Sequence, residues 1–214
     1  MRSNRLYIAN DVEAAGHRLG VHSTLSIGAC VVTREAVTFD EALARGLVFY
    51  GEMQPTSLDF DIEAMRVGCS QLRCLEDMRK YDMRYETTHK DFDPKLVLEF
   101  MQAYCESPGK VTEGFLKWIK QVSANRNVEG VTDTVFFDSG HLNLQFGAAS
   151  KDLSPYKWSG LDLDSLYRGY VNDPYASLRN LRVLDDRAKP HRADHDAFFL
   201  AKISRILLYE KLGW

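Results

Sequence analysis

Apolar residues gather in three short runs in the first quarter of the chain. "RLYIAND" ends in an acid, "STLSIGACVV" is rich in β-branched residues, and "GLVFYGEMQ" alternates apolar with polar positions. Runs of this length and pattern mark strands. Three strands, antiparallel to one another, are therefore expected to open the chain. Between the second and third, "TREAVTFDEALARG" reads as an enlarged hairpin connection.

Beyond Pro55 the pattern turns helical. "SLDFDIEAMRVG" opens on a Ser- and Asp-containing cap and stops at Gly68, as a short helix does. The charged stretch from Ser70 to Asp93 has few apolar anchors and reads as a solvated excursion, scaffold or substrate rim. "DPKLVLEFMQAYCES" predicts a helix capped by Asp93, with Pro94 in its first turn and Leu96, Phe100 and Ala103 on one face. Pro108 and Gly109 break it, and "KVTEGFLKWIKQV" starts another amphipathic helix. "GVTDTVFF" predicts a strand ending at Asp138, followed by a helix in "DSGHLNLQFGAAS". "SGLDLDSLYRGYV" predicts a helix, residues 172–190 a loop, and residues 193–212 the last helix. Strands first and mixed elements afterwards give one α/β domain over residues 1–214, a mixed sheet flanked by helices.

Composition narrows the function classes. With 27 basic and 30 acidic residues the formal charge is −3, so no overall positive field draws the chain onto nucleic acid or anionic membrane. Binding a polyanion then needs a local basic patch or bound cations. No run approaches the roughly 20 apolar residues of a membrane span, and no signal-peptide core follows "MRSNR". An intracellular, cytoplasmic protein without membrane contact is expected. Cys30, Cys69, Cys74 and Cys105 show neither a CxxC pair nor zinc-finger spacing, and are expected as reduced thiols.

Acids sit at the ends of apolar elements. In "NDVEAAG", Asp11 and Glu13 are two apart on a strand and share a face, and Ala14, Ala15 and Gly16 leave room for close approach. Asp138 ends "TVFF", and "HRADHDAFFLAKISRILLYE" packs His191, Asp194, His195 and Asp196 at the mouth of the last helix. Carboxylates that converge repel one another unless a cation lies between them. Such hard oxygen sites suit Mg²⁺ or Mn²⁺, and two ions roughly 3.5–4 Å apart clamp an in-line phosphoryl displacement. A nearby histidine then takes the proton from the attacking water.

"DVEAAG", "FFDSGHL" and "HRADHDA", in that order, resemble the motifs of the DEDDh 3′→5′ exonucleases, the ribonuclease T and DNA polymerase III proofreading-subunit group. The resemblance spans about residues 11–205 and extends to "GLVFYGEMQP" and "DIEAMRVG". It implies an RNase H-like fold with Asp11, Glu13, Asp138 and Asp196 as ligands of two Mg²⁺ or Mn²⁺ ions, and His191 activating water. It further implies a single-stranded RNA or DNA 3′ end as partner, release of nucleoside 5′-monophosphates, and a possible homodimer. RNA is preferred because "DVEAAG" lies closer to the ribonuclease side. Ala14 stands where the group usually has Thr, and Asp133 and Thr134 stand where many members carry His-Asn. Ala14, Gly16 and His17 are the expected substrate contacts.

Simpler roles compete at each position. Asp11 and Glu13 also suit the end of an edge strand, though the metal role is favoured, Asp138 a helix cap, and Asp194 a cap or first-turn acid. His195 is expected on a polar face, His141, His22 and His89 on the surface or satisfied, and Asp162 or Asp164 at a helix start. Tyr156, Trp158 and Tyr167 suit base stacking or, more commonly, core burial. Two rival functions follow: an inactive nucleic-acid-binding module on the same fold, lacking a ligand, and a structural domain whose acids are caps. A DNA-specific exonuclease is the nearest variant of the leading reading.

Overall fold

The computed structural model describes residues 5–149, 154–156 and 160–214. Five strands among them, β1 (Arg5–Ala14), β2 (Thr24–Val31), β3 (Val48–Glu52), β4 (Asn127–Thr132) and β5 (Gly160–Asp162), form one mixed sheet. Their order is β3–β2–β1–β4–β5. β1 pairs antiparallel with β2 and β2 antiparallel with β3, whereas β4 runs parallel to β1 and β5 parallel to β4. Antiparallel pairing thus covers only part of the sheet.

The enlarged hairpin between β2 and β3 is in fact a helix, α1 (Phe39–Ala44). Its capping box joins Thr38 and Glu41 in both directions, a local signal strong enough to start a helix in six residues. Asp61 caps α2 (Ile62–Gly68), later than the Ser57-to-Phe60 stretch predicted. The charged stretch after it folds into α3 (Met78–Tyr81) and single 3₁₀ turns. It is less solvated than its charge suggests, because Leu72, Leu75, Tyr85 and Phe92 are buried against α2 and α4 (Pro94–Tyr104). Asp93 and Pro94 start α4 as expected, but its buried face is Val97, Leu98 and Met101, with Ala103 exposed.

α5 (Pro108–Ser123) and α6 (Gly140–Ala149) cover one face of the sheet, where Phe115 and Phe146 pack with Leu6, Ile8, Val12 and Ile27. α7 (Leu163–Val171) and α8 (Ala193–Arg205), extended by a π-helical turn to Lys211, cover the other. There Tyr7, Ala9, Cys30 and Val131 meet Leu163, Ala197, Ala201 and Leu207. A fully buried Leu or Ile contributes about 1.5–3 kcal/mol, so these two layers dominate the stability of the sheet. Cys30 is a core residue, as its apolar run predicts.

Two elements depart from the sequence reading near the acids. β4 ends at Thr132, and Asp138 lies six residues on, in a π-helical turn over Val135–Ser139. "GLD" at 160–162 is a strand, β5, with Asp162 capping α7 through Ser165 N–H at 2.6 Å. Tyr167 is core, and Tyr156 donates to Asn10 Oδ1 at 2.7 Å and packs on Gly130. Trp158 lies outside the described residues. No helix of the described residues is long and apolar enough to cross a membrane.

Candidate active site

β1 alternates cleanly across the sheet. Leu6, Ile8 and Val12 face α5 and α6, while Tyr7 and Ala9 face α8. The same alternation turns Asp11 and Glu13 towards α8. α8 comes unusually close to the sheet at Gly28, the partner of Asp11 on β2. A Cβ placed on Gly28 would lie 1.9 Å from the Ala193 carbonyl oxygen. Only glycine allows this contact, and it brings the first turn of α8 over the acids of β1.

The loop before α8 completes the arrangement. His191 takes a left-handed conformation, φ 62°, and its N–H donates to Asp196 Oδ2 at 3.0 Å. Donor atoms of Glu13, His191 and Asp196 lie within 4.8 Å of one another. Asp11, Glu13, Asp138, His191 and Asp196 all line one cleft of about 650 Å³. The five residues singled out in three separate motifs are thus brought together.

The electrostatics of the cleft are strained. Burial, and then Glu13, Asp138 and Asp196, push the Asp11 carboxyl well above its ordinary range. Burial, Asp196 and Asp138 do the same to Glu13. Burial raises Asp196 as well, against the opposing pull of Arg187. Each acid in effect waits for positive charge. Asp11 Oδ2 is buried with no hydrogen-bond partner, an orphan oxygen of the kind a hard cation satisfies. The donor set, all oxygen with one imidazole beside it, fits Mg²⁺ or Mn²⁺.

Asp138 differs from the other three. It is 2% exposed, and its Oδ1 accepts from Val12 N–H at 3.1 Å. Its Oδ2 accepts from the Thr132 hydroxyl at 2.6 Å and from the Thr134 hydroxyl. Burial lifts it to about 6, with the two threonines pulling the other way. It clamps the π-turn to β1 and β4, and one lone pair on Oδ1 stays free. It is not a helix N-cap, since its carboxylate reaches back to the strands.

Three expectations are corrected. The space at Gly16 is taken by His22, whose Nδ1 lies 2.0 Å from where a Cβ would sit. Ala14 and Gly16 are buried, so substrate has no room against them. His17 is exposed, edge-on to His22 with ring centroids 5.9 Å apart. His195 is buried and stacks on Phe39 at 4.0 Å, away from the polar surface. Asp194 is a buried ion-pair partner, held by Arg192 at 2.7 Å and Arg73 at 3.2 Å.

Four contributors escaped the sequence reading. Arg187 bridges Asp196 at 2.8 Å and Asp185 at 2.6 Å, fixing the loop onto α8. Gly28, Thr132 and Thr134 position acids without carrying charge. A glycine in an apolar strand pattern is the one signal that pointed to a close approach. The arginine and threonines have none, because only the folded turn and loop bring their side chains onto Asp138 and Asp196.

No protein-family model and no curated protein sequence matches the chain. Solved structures do. The nuclease domain of 3′hExo, a DEDDh family member bound to rAMP, superposes with TM-score 0.63 at 12% identity, over 98% of this chain and 93% of that one. The 3′-exonuclease recognising the histone mRNA stem-loop gives 0.65 at 12%, over 100% and 68%. The zinc-bound E. coli exonuclease I–ssDNA complex gives 0.60 at 13%, over 98% of this chain but only 41% of that one. A likeness of this breadth at such low identity reports architecture, and the chain has the fold of the DEDDh 3′→5′ exonucleases.

Proposed function

We propose that the chain is a divalent-metal-dependent 3′→5′ exonuclease on single-stranded nucleic acid, releasing nucleoside 5′-monophosphates. The observation that carries this reading is the convergence of Asp11, Glu13, Asp138, Asp196 and His191 in one cleft, with an orphan oxygen on Asp11. Asp11, Glu13 and Asp196 would hold Mg²⁺ or Mn²⁺ directly, and Asp138 through its remaining Oδ1 lone pair. Two such ions, when bound, neutralise the phosphodiester and stabilise charge on the attacking and leaving oxygens.

His191 is exposed at the mouth of the cleft, with its backbone pinned to Asp196 and its ring left free of that bond. It takes the proton of the attacking water and passes it to solvent. Water adds to the phosphorus of the terminal nucleotide, and the bond to the preceding 3′-oxygen breaks. Of the three expected substrate contacts, His17 alone is exposed. Every residue in this scheme comes from one chain, so the chemistry needs no second copy.

RNA is the favoured substrate, on the resemblance of "DVEAAG" to the ribonuclease side of the family. The structural neighbours include one bound to rAMP and one bound to ssDNA, so both sugars belong in the test. Matched 5′-labelled RNA and DNA strands are incubated with Mg²⁺, Mn²⁺ or EDTA. A ladder shortening from the 3′ end, faster on RNA and absent in EDTA, is expected. Intact strands in every lane, with divalent binding still measurable, would reassign the protein as a binding module.

A further inference from the structure

We propose that Glu52, Cys74 and Cys105 form a second metal site, one for a thiophilic divalent cation of the zinc class. A carboxylate oxygen of Glu52 and the sulfurs of both cysteines lie within 4.8 Å of one another. Each comes from a different element: Glu52 ends β3, Cys74 lies in the 3₁₀ turn Arg73–Leu75, and Cys105 caps α4.

The backbone holds this geometry. Glu52 accepts from Arg73 N–H at 2.5 Å and Cys74 N–H at 3.0 Å, and from the Tyr50 hydroxyl. Cys105 N–H donates to the Met101 carbonyl at 2.9 Å, and Gln54 N–H to the Glu106 carbonyl at 2.8 Å, which ties the end of α4 to the end of β3. Neither sulfur is tied up in a disulfide. All three ligands are half-buried, so an ion reaches them. The remaining cysteines, Cys30 and Cys69, are fully enclosed in the core.

Zinc binds thiolate at about 2.3 Å and carboxylate at about 2.0–2.2 Å in a tetrahedron, so neighbouring ligand atoms stand roughly 3.3–3.8 Å apart. The observed spread closes to that by small side-chain rotations. Binding sends two thiol protons to solvent and leaves one position for water. Sulfur ligands select against the hard Mg²⁺ and Mn²⁺ suited to the acid-lined cleft. The site staples the edge strand β3 to the helical excursion. Through Arg73, which pairs with Asp194, it stands one ion pair from the start of α8.

Cd²⁺ titrated into the reduced chain, with excess Mg²⁺ present, tests the assignment through the thiolate-to-cadmium charge-transfer band. Carboxylates give no such band, so the cleft is silent. One Cd²⁺ per chain, displaceable by Zn²⁺, is expected. Glu52→Gln should weaken it by on the order of tenfold or more, and the double variant Cys74→Ser/Cys105→Ser should abolish the band with unchanged circular dichroism. Asp11→Asn should leave it intact. No band in the reduced wild type overturns the proposal, as does a band that survives the double variant. A Cys74–Cys105 disulfide that forms readily in air, with no band after reduction, overturns it too.

Discussion

At the scale of single residues, the cleft holds mutually repelling acids that a cation would relieve. Removing one acid should therefore stabilise the metal-free protein while abolishing the proposed activity. Asp11→Asn should raise the melting temperature without metal, by about 2–4 °C for each kcal/mol of repulsion relieved, and should abolish stabilisation by Mn²⁺. The pH dependence follows the same logic. Asp138 is lifted to about 6, and Asp11 and Glu13 well above their ordinary range, so the folded state keeps protons that the unfolded chain has already released. Raised carboxyl groups cost stability as pH climbs from about 4 through their folded values. The metal-free protein should thus melt at a lower temperature near pH 7.5 than near pH 5, as scanning calorimetry would record, and Mg²⁺ should narrow the gap. His191→Ala acts on chemistry alone: kcat should fall by roughly 10²–10⁴, with divalent affinity nearly unchanged.

At the scale of elements, the position of α8 decides whether the acids meet. Gly28→Ala puts a methyl group into the Ala193 carbonyl and must lift the helix. A cost of about 1–3 kcal/mol is expected from overpacking. Activity should drop by on the order of 10²-fold, because an ångström of misplacement is enough. The buried Arg192–Asp194 pair holds the same helix start from the other side, with side chains 8% and 1% exposed. Asp194→Asn leaves the guanidinium unpaired and should cost about 3–5 kcal/mol in denaturant unfolding. These elements were legible to different degrees. β1, β2, β3, α4, α5 and α8 follow from periodicity and caps. α1 was hidden because six residues are too few for a period, and β5 because three residues paired only to β4 look like the start of the helix they precede. Asp194 looked like a surface cap because its partners, Arg73 and Arg192, are identified only by the packing.

At the scale of the whole molecule, the proposed function has a chain of formal charge −3 meet a polyanion at a cleft that gathers acids. Cations held by those acids would then supply the attraction that the net charge does not. With His191→Ala as an inactive binder, single-stranded RNA should bind at least about tenfold more tightly with Mn²⁺ than with EDTA. A weak dependence on monovalent salt should accompany it if the cations, and not Lys or Arg, meet the phosphates. The order of the three acidic motifs along the chain was enough to anticipate this cleft, because the fold gathers the end of β1, the turn after β4 and the start of α8. The room expected at Gly16 was misjudged, since nothing in "EAAGHRLGVHS" shows that His22 folds back over it. The central claim is that these carboxylates are a metal centre, and calorimetric titration with Mn²⁺ tests it most directly. Two ions per wild-type chain, the same in His191→Ala and markedly weaker binding in Asp11→Asn, is the predicted result. Wild-type protein that binds no Mn²⁺, or Asp11→Asn that binds it equally well, would contradict the account.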